Sequence, residues 1–369
     1  KKIKLNNIFI YIIVSKNMTL TFTRYLYNAD EVVLTLIECL LKQNSLNECY
    51  YWIYEYYKTG YVEESWKLLY KIYYDFYMLK NPKMEEKINN KYLKWKETKK
   101  INLLLWVVKN LFRFDSCYTI FLMRVYHSNR NTEVLKKTIT NIIYKDKNEI
   151  MLASAIKEKK KISISYYLKR VKNDRKLFVI NSCFDEKLKV NDNYNDNYHC
   201  LLANLINKFK ITSKKKVYYK MVMKKELDFV IETDKNCRNN GKHKDVSYVY
   251  KTLGKHRIYG ISSNIGCFKL DREGKDLNHC FWYHWEYYAY NSPLWKERFD
   301  KYSIKVIDKK QLIEFQDDDE LDKFYEEYGY EPDEQNAEIQ QKSSIEIGRT
   351  NLKLWLNSIF KKQLTKNIR

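Results

Sequence analysis

The clearest alternation of apolar and polar positions runs from Ser45 to Pro82, SLNECYYWIYEYYKTGYVEESWKLLYKIYYDFYMLKNP. Leu46, Cys49, Ile53, Tyr56 and Tyr57 fall at i, i+3, i+7, i+10 and i+11, which is one face of a helix. Ser45 and Glu48 make a capping box: the hydroxyl takes an orphan backbone N–H and the Glu reaches back to the cap. Gly60 suits the left-handed residue that ends a helix. A second helix is predicted from about Val62 to Leu79. Trp66, Leu69, Tyr70, Tyr73 and Phe76 line one face of it, Leu68, Ile72 and Met78 cover another, and Pro82 stops it. A helix apolar on most sides is buried between neighbours, so this hairpin predicts further hairpins around it.

Asn28 with Glu31 repeats the cap signal, and Val33, Leu36, Ile37, Leu40 and Leu41 give the next face. Helix starts near 29, 46 and 62 imply a spacing of about 17, or about 34 per hairpin, the period of tetratricopeptide-like repeats. The Trp-Leu-Gly part of that signature is missing, so the reading is a helical-hairpin array and not that family. Further helices are predicted at Met84–Trp95, Ile101–Phe112, Cys117–Tyr126, Val134–Tyr144, Ile150–Lys157, Ile162–Val171 and Leu201–Phe209. Between 176 and 200 the pattern dissolves into an Asn- and Asp-rich surface loop. Val217–Ile231 reads as strand or helix, and Asp234–Lys244 as a loop. Phe281–Asp300 reads as an aromatic helix broken near Pro293, and short strands follow at Ser303–Ile307 and Gln311–Phe315. Asp317–Glu338 then carries eleven acids against one Lys, with Phe324, Tyr325, Tyr328 and Tyr330 anchoring part of it. Leu352–Phe360 reads as an amphipathic helix with a basic tail.

One Gly and one Pro occur in residues 1–240, against seven and two afterwards; Gly and Pro punctuate loops, so the first part is read as helical throughout. The expected fold is mainly α. An array of antiparallel helical hairpins, α-solenoid-like, covers 19–210, and a smaller α+β module covers 215–335. A linker and basic helix fill 336–369. Residues 1–18 read as upstream sequence or a floppy extension: Ile8–Val14 is too short to span a bilayer. No other segment is long and apolar enough to span one.

The net charge of +22 favours anionic partners, although Lys, Asn, Ile and Tyr are all abundant, as AT-rich coding produces. Residues 151–250 alone carry 23 basic and 11 acidic side chains. Eight Cys are scattered without close pairs, which fits a reducing compartment rather than a disulfide scaffold. Lys157–Lys176 holds nine basic residues and two acids, with Tyr166 and Tyr167 among them. Cations neutralise phosphates and aromatics stack on bases, so Lys157, Lys159, Lys160, Lys161, Lys169, Arg170 and Lys172 are the candidate nucleic-acid-binding residues. The bland alternative is a solvated helix pair with Tyr in the core.

Cys267, His279, Cys280 and His284, with Cys237, His243 and His256, are possible metal ligands, but no C-x-x-C pair supports them and buried thiols explain them as well. Asp185, Lys187, Glu232 and Asp234 are similar to the acid and Lys pairs of metal-dependent nucleases, in the wrong order and spacing. Phosphate loops, H-E-x-x-H and G-x-S-x-G are absent. No cofactor and no metal are expected, and an enzyme is not favoured.

The stretches RYLYNADEV (24–32), WKLLYKIYYDFYMLKNP (66–82), HWEYYAYNSPLWKERFDKY (284–302) and FYEEYGYEPDEQ (324–335) resemble an uncharacterised protein type of giant nucleocytoplasmic DNA viruses, the mimivirus-like group. The resemblance spans about Thr19–Gln335 and carries no functional residue with it. It implies a viral protein acting in host cytoplasm, a viral factory or the virion. The leading expectation is a non-catalytic scaffold that binds protein partners. The alternative is a non-specific nucleic-acid-associated protein using the basic stretch, and a metal-dependent enzyme in the C-terminal module is a distant third. Oligomeric state cannot be read from the sequence.

Overall fold

The secondary structure follows the apolar periodicity closely over most of the chain. The computed structural model describes residues 20–126, 143–188, 190, 198–209, 217–239, 276–328 and 355–360. The fold is mainly α, with one two-stranded antiparallel sheet among the described residues. The helices are α1 (Ala29–Lys42), α2 (Leu46–Lys58), α3 (Val62–Phe76), α4 (Met84–Thr98), α5 (Ile101–Arg113), α6 (Thr119–Tyr126), α7 (Lys147–Lys157), α8 (Lys161–Arg170), α9 (Asn173–Asn181), α10 (Tyr198–Lys208), α11 (Lys224–Asn239), α12 (Leu277–Tyr290) and α13 (Pro293–Phe299). The strands β1 (Ile304–Ile307) and β2 (Leu312–Phe315) precede α14 (Asp318–Tyr328), and a last helical turn covers 355–360.

The chain divides into two compact units that do not follow chain order: Lys1–Ser65 with Val222–Arg369, and Trp66–Met221. The hairpin expected over 45–82 is therefore divided. Its first helix pairs with α1, and its second begins in one unit and continues in the other.

In the discontinuous unit, α1, α2 and α11 pack together. Residues 20–28 turn back on themselves through the Phe22–Asn28 bridge. The Phe22 N–H donates to the Tyr288 carbonyl (3.1 Å), and the Trp295 indole N–H donates to the Thr23 carbonyl (3.0 Å). Arg24 and Glu55 form a buried pair: Nε and Nη2 donate to Oε2 at 3.1 and 2.9 Å, and Tyr25 N–H donates to Oε1. The C-terminal module packs α12, α13 and α14 on the sheet, whose register pairs Ile304 with Phe315. Phe324 is fully buried there, stacked on Phe299 at 4.4 Å, so the acidic segment is anchored by its aromatic residue. Gly60, at φ +99°, lies where a Cβ would come within 2.6 Å of the Pro293 Cβ.

In the other unit, α4 pairs with α5, and α8 gathers α6, α7 and α10. Trp66 and Trp95 meet at 5.5 Å in its core, with Tyr92 against both. Three expectations change. The helix of Asn173–Asn181 lies where the pattern had dissolved, because its buried face is only Lys176, Val179 and Ile180. Val217–Ile231 is neither all strand nor all helix: 217–223 is irregular and α11 starts at Lys224. That helix runs to Asn239, so the loop expected from Asp234 is helical to there. Much of Val134–Tyr144 and of the Asn-rich loop lies outside the described residues, as do 1–19.

Few glycines did not prevent tight helix ends. Gln43, Lys99 and Lys159 adopt the left-handed conformation (φ 56°, 52° and 55°) that glycine adopts at no steric cost.

Candidate functional site

Asp146 caps α7 by accepting from the N–H groups of Asn148 and Glu149 (2.8 and 3.0 Å). The helix ends at Lys157, and the chain turns through Lys159. Lys160 N–H donates to the Ala155 carbonyl (2.9 Å) and Lys159 N–H to Ile156 (3.1 Å), a Schellman-type close that places Lys159 at the glycine position. The tight turn sets Lys157, Lys159, Lys160 and Lys161 within five consecutive positions. One helix later, Lys169, Arg170 and Lys172 follow at the junction of α8 and α9.

All but one of these seven side chains face solvent; Lys160 is half-buried, not exposed as the sequence implied. None of the seven has an acidic partner within ion-pair distance among the described residues. The other two cations of the stretch differ. Arg175 clasps Glu149 through Nε and Nη2 (3.0 and 2.9 Å), and buried Lys176 donates to Asn173 Oδ1 (2.7 Å). Partial burial, then the nearby Arg124 and Arg170 charges, push the Lys169 ammonium below its ordinary pKa.

The aromatic pair does not stand free. The Arg170 guanidinium lies 3.3 Å from the Tyr166 ring centroid, and Tyr167 meets Tyr166 edge-on at 4.9 Å. One face of Tyr166 is therefore taken, which leaves little stacking surface for bases and leaves the cations as the main feature.

Beneath this face lies a polar network that sequence reading missed. Asp75 of α3 accepts from Arg124 of α6 through both oxygens (3.2 and 2.8 Å), and its Oδ1 also faces His199 Nδ1 of α10 at 3.0 Å. Burial opposes ionisation of Asp75 most, yet Arg124 and His199 together hold its carboxyl well below the usual range. Burial, aided by the Arg124 and Lys71 charges and opposed by Asp75, pushes His199 down to about 4, so the imidazole is neutral at pH 7 and donates Nδ1–H to Asp75. Alongside it, Glu85 Oε1 of α4 takes hydrogen bonds from Tyr74 of α3 (2.7 Å) and Asn204 of α10 (3.2 Å), and burial pushes its carboxyl pKa up. Among the described residues His199 hydrogen-bonds to Asp75. Only Asp75, a lone acid between Tyr74 and Phe76 in an apolar stripe, signals the network in the sequence.

Of the metal candidates, His279 and His284 meet, their ring centroids 4.8 Å apart. His284 Nδ1 pairs with the Gln311 carbonyl (2.9 Å), Cys280 is buried, and His279 packs against Tyr283. Among the described residues no three His, Cys, Asp or Glu side chains are placed to hold a metal ion. Cys267, His243 and His256 and the side chains of Cys237 and Asp234 lie outside those residues. Asp185, Lys187 and Glu232 are exposed. Among the described residues, no helix is long and apolar enough to cross a membrane. No family model, curated protein or solved structure matches this chain.

Proposed function

We propose that this chain is a non-catalytic binding protein whose α7–α9 face takes the phosphate backbone of a nucleic acid without reading its sequence. The observation that carries this reading is the sorting of the basic stretch. Arg175 and Lys176 serve the fold, while seven neighbouring cations at solvent-facing or half-buried positions have no acidic partner among the described residues. Backbone neutralisation needs unpaired cations and little else. The setting that goes with the reading is the one implied by the viral resemblance, a factory or virion handling DNA.

The test is a salt series with labelled duplex and single-stranded oligonucleotides of arbitrary sequence. Each phosphate contact adds roughly 0.7–0.9 to the log–log slope of affinity against salt. Replacing Lys159, Lys160, Lys161, Lys169 and Arg170 by Gln is expected to flatten the slope by several units. Lys159→Gly is a cleaner single change, since it removes one cation and relieves a left-handed backbone. An unchanged slope in the five-Gln protein would sink the site.

The scaffold reading is favoured by one other observation. On α12 Tyr283 is 67% exposed and the neighbouring Trp282 36%, an aromatic pair of the kind enriched in protein interfaces. Loss of co-purifying protein on Trp282→Ser with Tyr283→Ser, with nucleic-acid binding intact, would separate the two readings.

A further inference from the structure

Residues 217–221 form neither helix nor strand, yet α5 holds them by their backbone. The Asn110 side chain, itself fully buried, donates Nδ2–H to the Lys220 carbonyl (3.0 Å), and its Oδ1 accepts the Lys220 N–H (2.9 Å). The second Nδ2 hydrogen goes to the Trp106 carbonyl (2.8 Å), which locks the amide in place. Lys109 Nζ donates to the Met221 carbonyl (2.8 Å). A single amide thus satisfies both backbone groups of one residue, as a neighbouring β-strand would, and does so without regard to its side chain.

The side chains of the held segment are used unequally. Tyr218 is 73% exposed and Met221 67%, and Lys220 also faces solvent. Only Tyr219 enters α5, stacked on Trp106 at 5.6 Å and edge-on to Phe114 at 5.6 Å. Its fit is imperfect. The Tyr219 hydroxyl is buried with no hydrogen-bond partner among the described residues, and so is the Trp106 indole N–H. A buried hydroxyl without a partner is costly, and the same ring without it is not.

We propose that Asn110, Lys109, Trp106 and Phe114 form a peptide-reading site that the chain fills with its own 217–221 segment. The occupant it fits best is a partner's non-helical segment centred on Phe, with any residues on either side. The backbone contacts set affinity without sequence preference, and the ring slot sets the one specificity. The unpaired hydroxyl makes the resident Tyr219 a suboptimal occupant, which a Phe-centred segment displaces. This site is separate from the basic face and does not depend on it.

The probes are two blocked synthetic peptides: the sequence of residues 217–221, and the same peptide carrying Tyr219→Phe. With the full wild-type chain, fluorescence anisotropy is expected to show the Phe peptide binding roughly tenfold more tightly, the order of effect of one buried unsatisfied hydroxyl. The Phe peptide is also expected to speed hydrogen exchange at the Lys220 amide, because the resident segment is released. Weakening that segment with Tyr219→Ala should tighten binding of both peptides, and Asn110→Ala should abolish it. Unchanged Lys220 exchange at saturating Phe peptide, or equal affinity for the two peptides, overturns the proposal. Both readings use the wild-type protein, so neither depends on how the variants fold.

Discussion

His199→Asn should remove a pH dependence that the wild-type chain carries between about pH 4 and 6.5. The folded imidazole takes its proton only near 4, against an ordinary value of 6.5, because it is buried and faces Arg124 and Lys71, with Asp75 offsetting only part of this. The side chain is 16% exposed, so solvent screens it little. Between the two values the unfolded chain binds a proton that the folded chain does not. Stability is therefore complete above about pH 6.5 and falls as pH drops towards 4. At about 1.4 kcal/mol for each tenfold, the window is worth about 3 kcal/mol. Asp75 adds a further loss at lower pH, since its depressed pKa stabilises the fold above the ordinary carboxylate range and is lost below it. Asn places an amide N–H near the position of Nδ1, keeps a donor for Asp75 and cannot titrate. Urea unfolding of both proteins at half-unit steps from pH 4 to 8 measures the effect. The wild type should lose about 3 kcal/mol more than the variant over the window, and parallel curves would refute the neutral, buried His199.

Two further predictions concern the cores. Trp66→Ala, at a side chain 1% exposed against Tyr92 and Trp95, should cost about 3–5 kcal/mol in denaturant melts, and a loss under about 1 kcal/mol would mean the ring is not a core element. Glu55→Ala should cost about 3–5 kcal/mol, because it strips the carboxylate from a guanidinium buried with it, whereas replacing Arg24 and Glu55 together by Met should cost much less; equal losses would contradict that account.

What the sequence made legible is what depends on near neighbours. Ser45 does cap α2, accepting from the Glu48 N–H at 3.3 Å, and Gly60 does take the left-handed conformation after it. The break at Pro293 is real, with Pro at the first turn of α13. Asn28 does sit at the start of α1, but its amide donates to the Glu31 carboxylate and its side chain accepts no backbone N–H of the first turn. The errors lie where periodicity is weak. Asn173–Asn181 buries too narrow a face to stand out, and the polar end of α11 has no apolar repeat to mark it as helix. The stop at Pro82 comes earlier than its position predicts, since α3 ends at Phe76, a full turn and more before it. Partners distant in sequence were not legible at all. Arg124 is 49 residues from Asp75 and His199 is 124 away, and no local pattern encodes such pairings. The basic stretch was legible because a run of exposed charge is a local property.

The placement of the two cation types bears on whether that charge has a use. Only twelve of the 68 basic residues are Arg. Arg24 on Glu55, Arg124 on Asp75 and Arg175 on Glu149 each bring two guanidinium nitrogens to a buried carboxylate. A planar guanidinium suits such sites better than an ammonium, which is a strongly hydrated point charge on a flexible stem. Buried Lys109 and Lys176 each donate to a neutral oxygen, the Met221 carbonyl and Asn173 Oδ1. Among the described residues, the buried carboxylates Glu55, Asp75 and Glu149 thus take their cationic partners from the minority residue. Coding bias explains why surplus cations are Lys. It does not explain why six of the seven cations on the α7–α9 face stand exposed and why none has an acidic partner among the described residues, while two acids at the start of α7 are engaged elsewhere. Glu149 goes to Arg175, and Asp146 to the N-terminus of α7. For the same reason the five-Gln protein should fold as the wild type does, and any change in its salt slope reports on the bound polyanion alone.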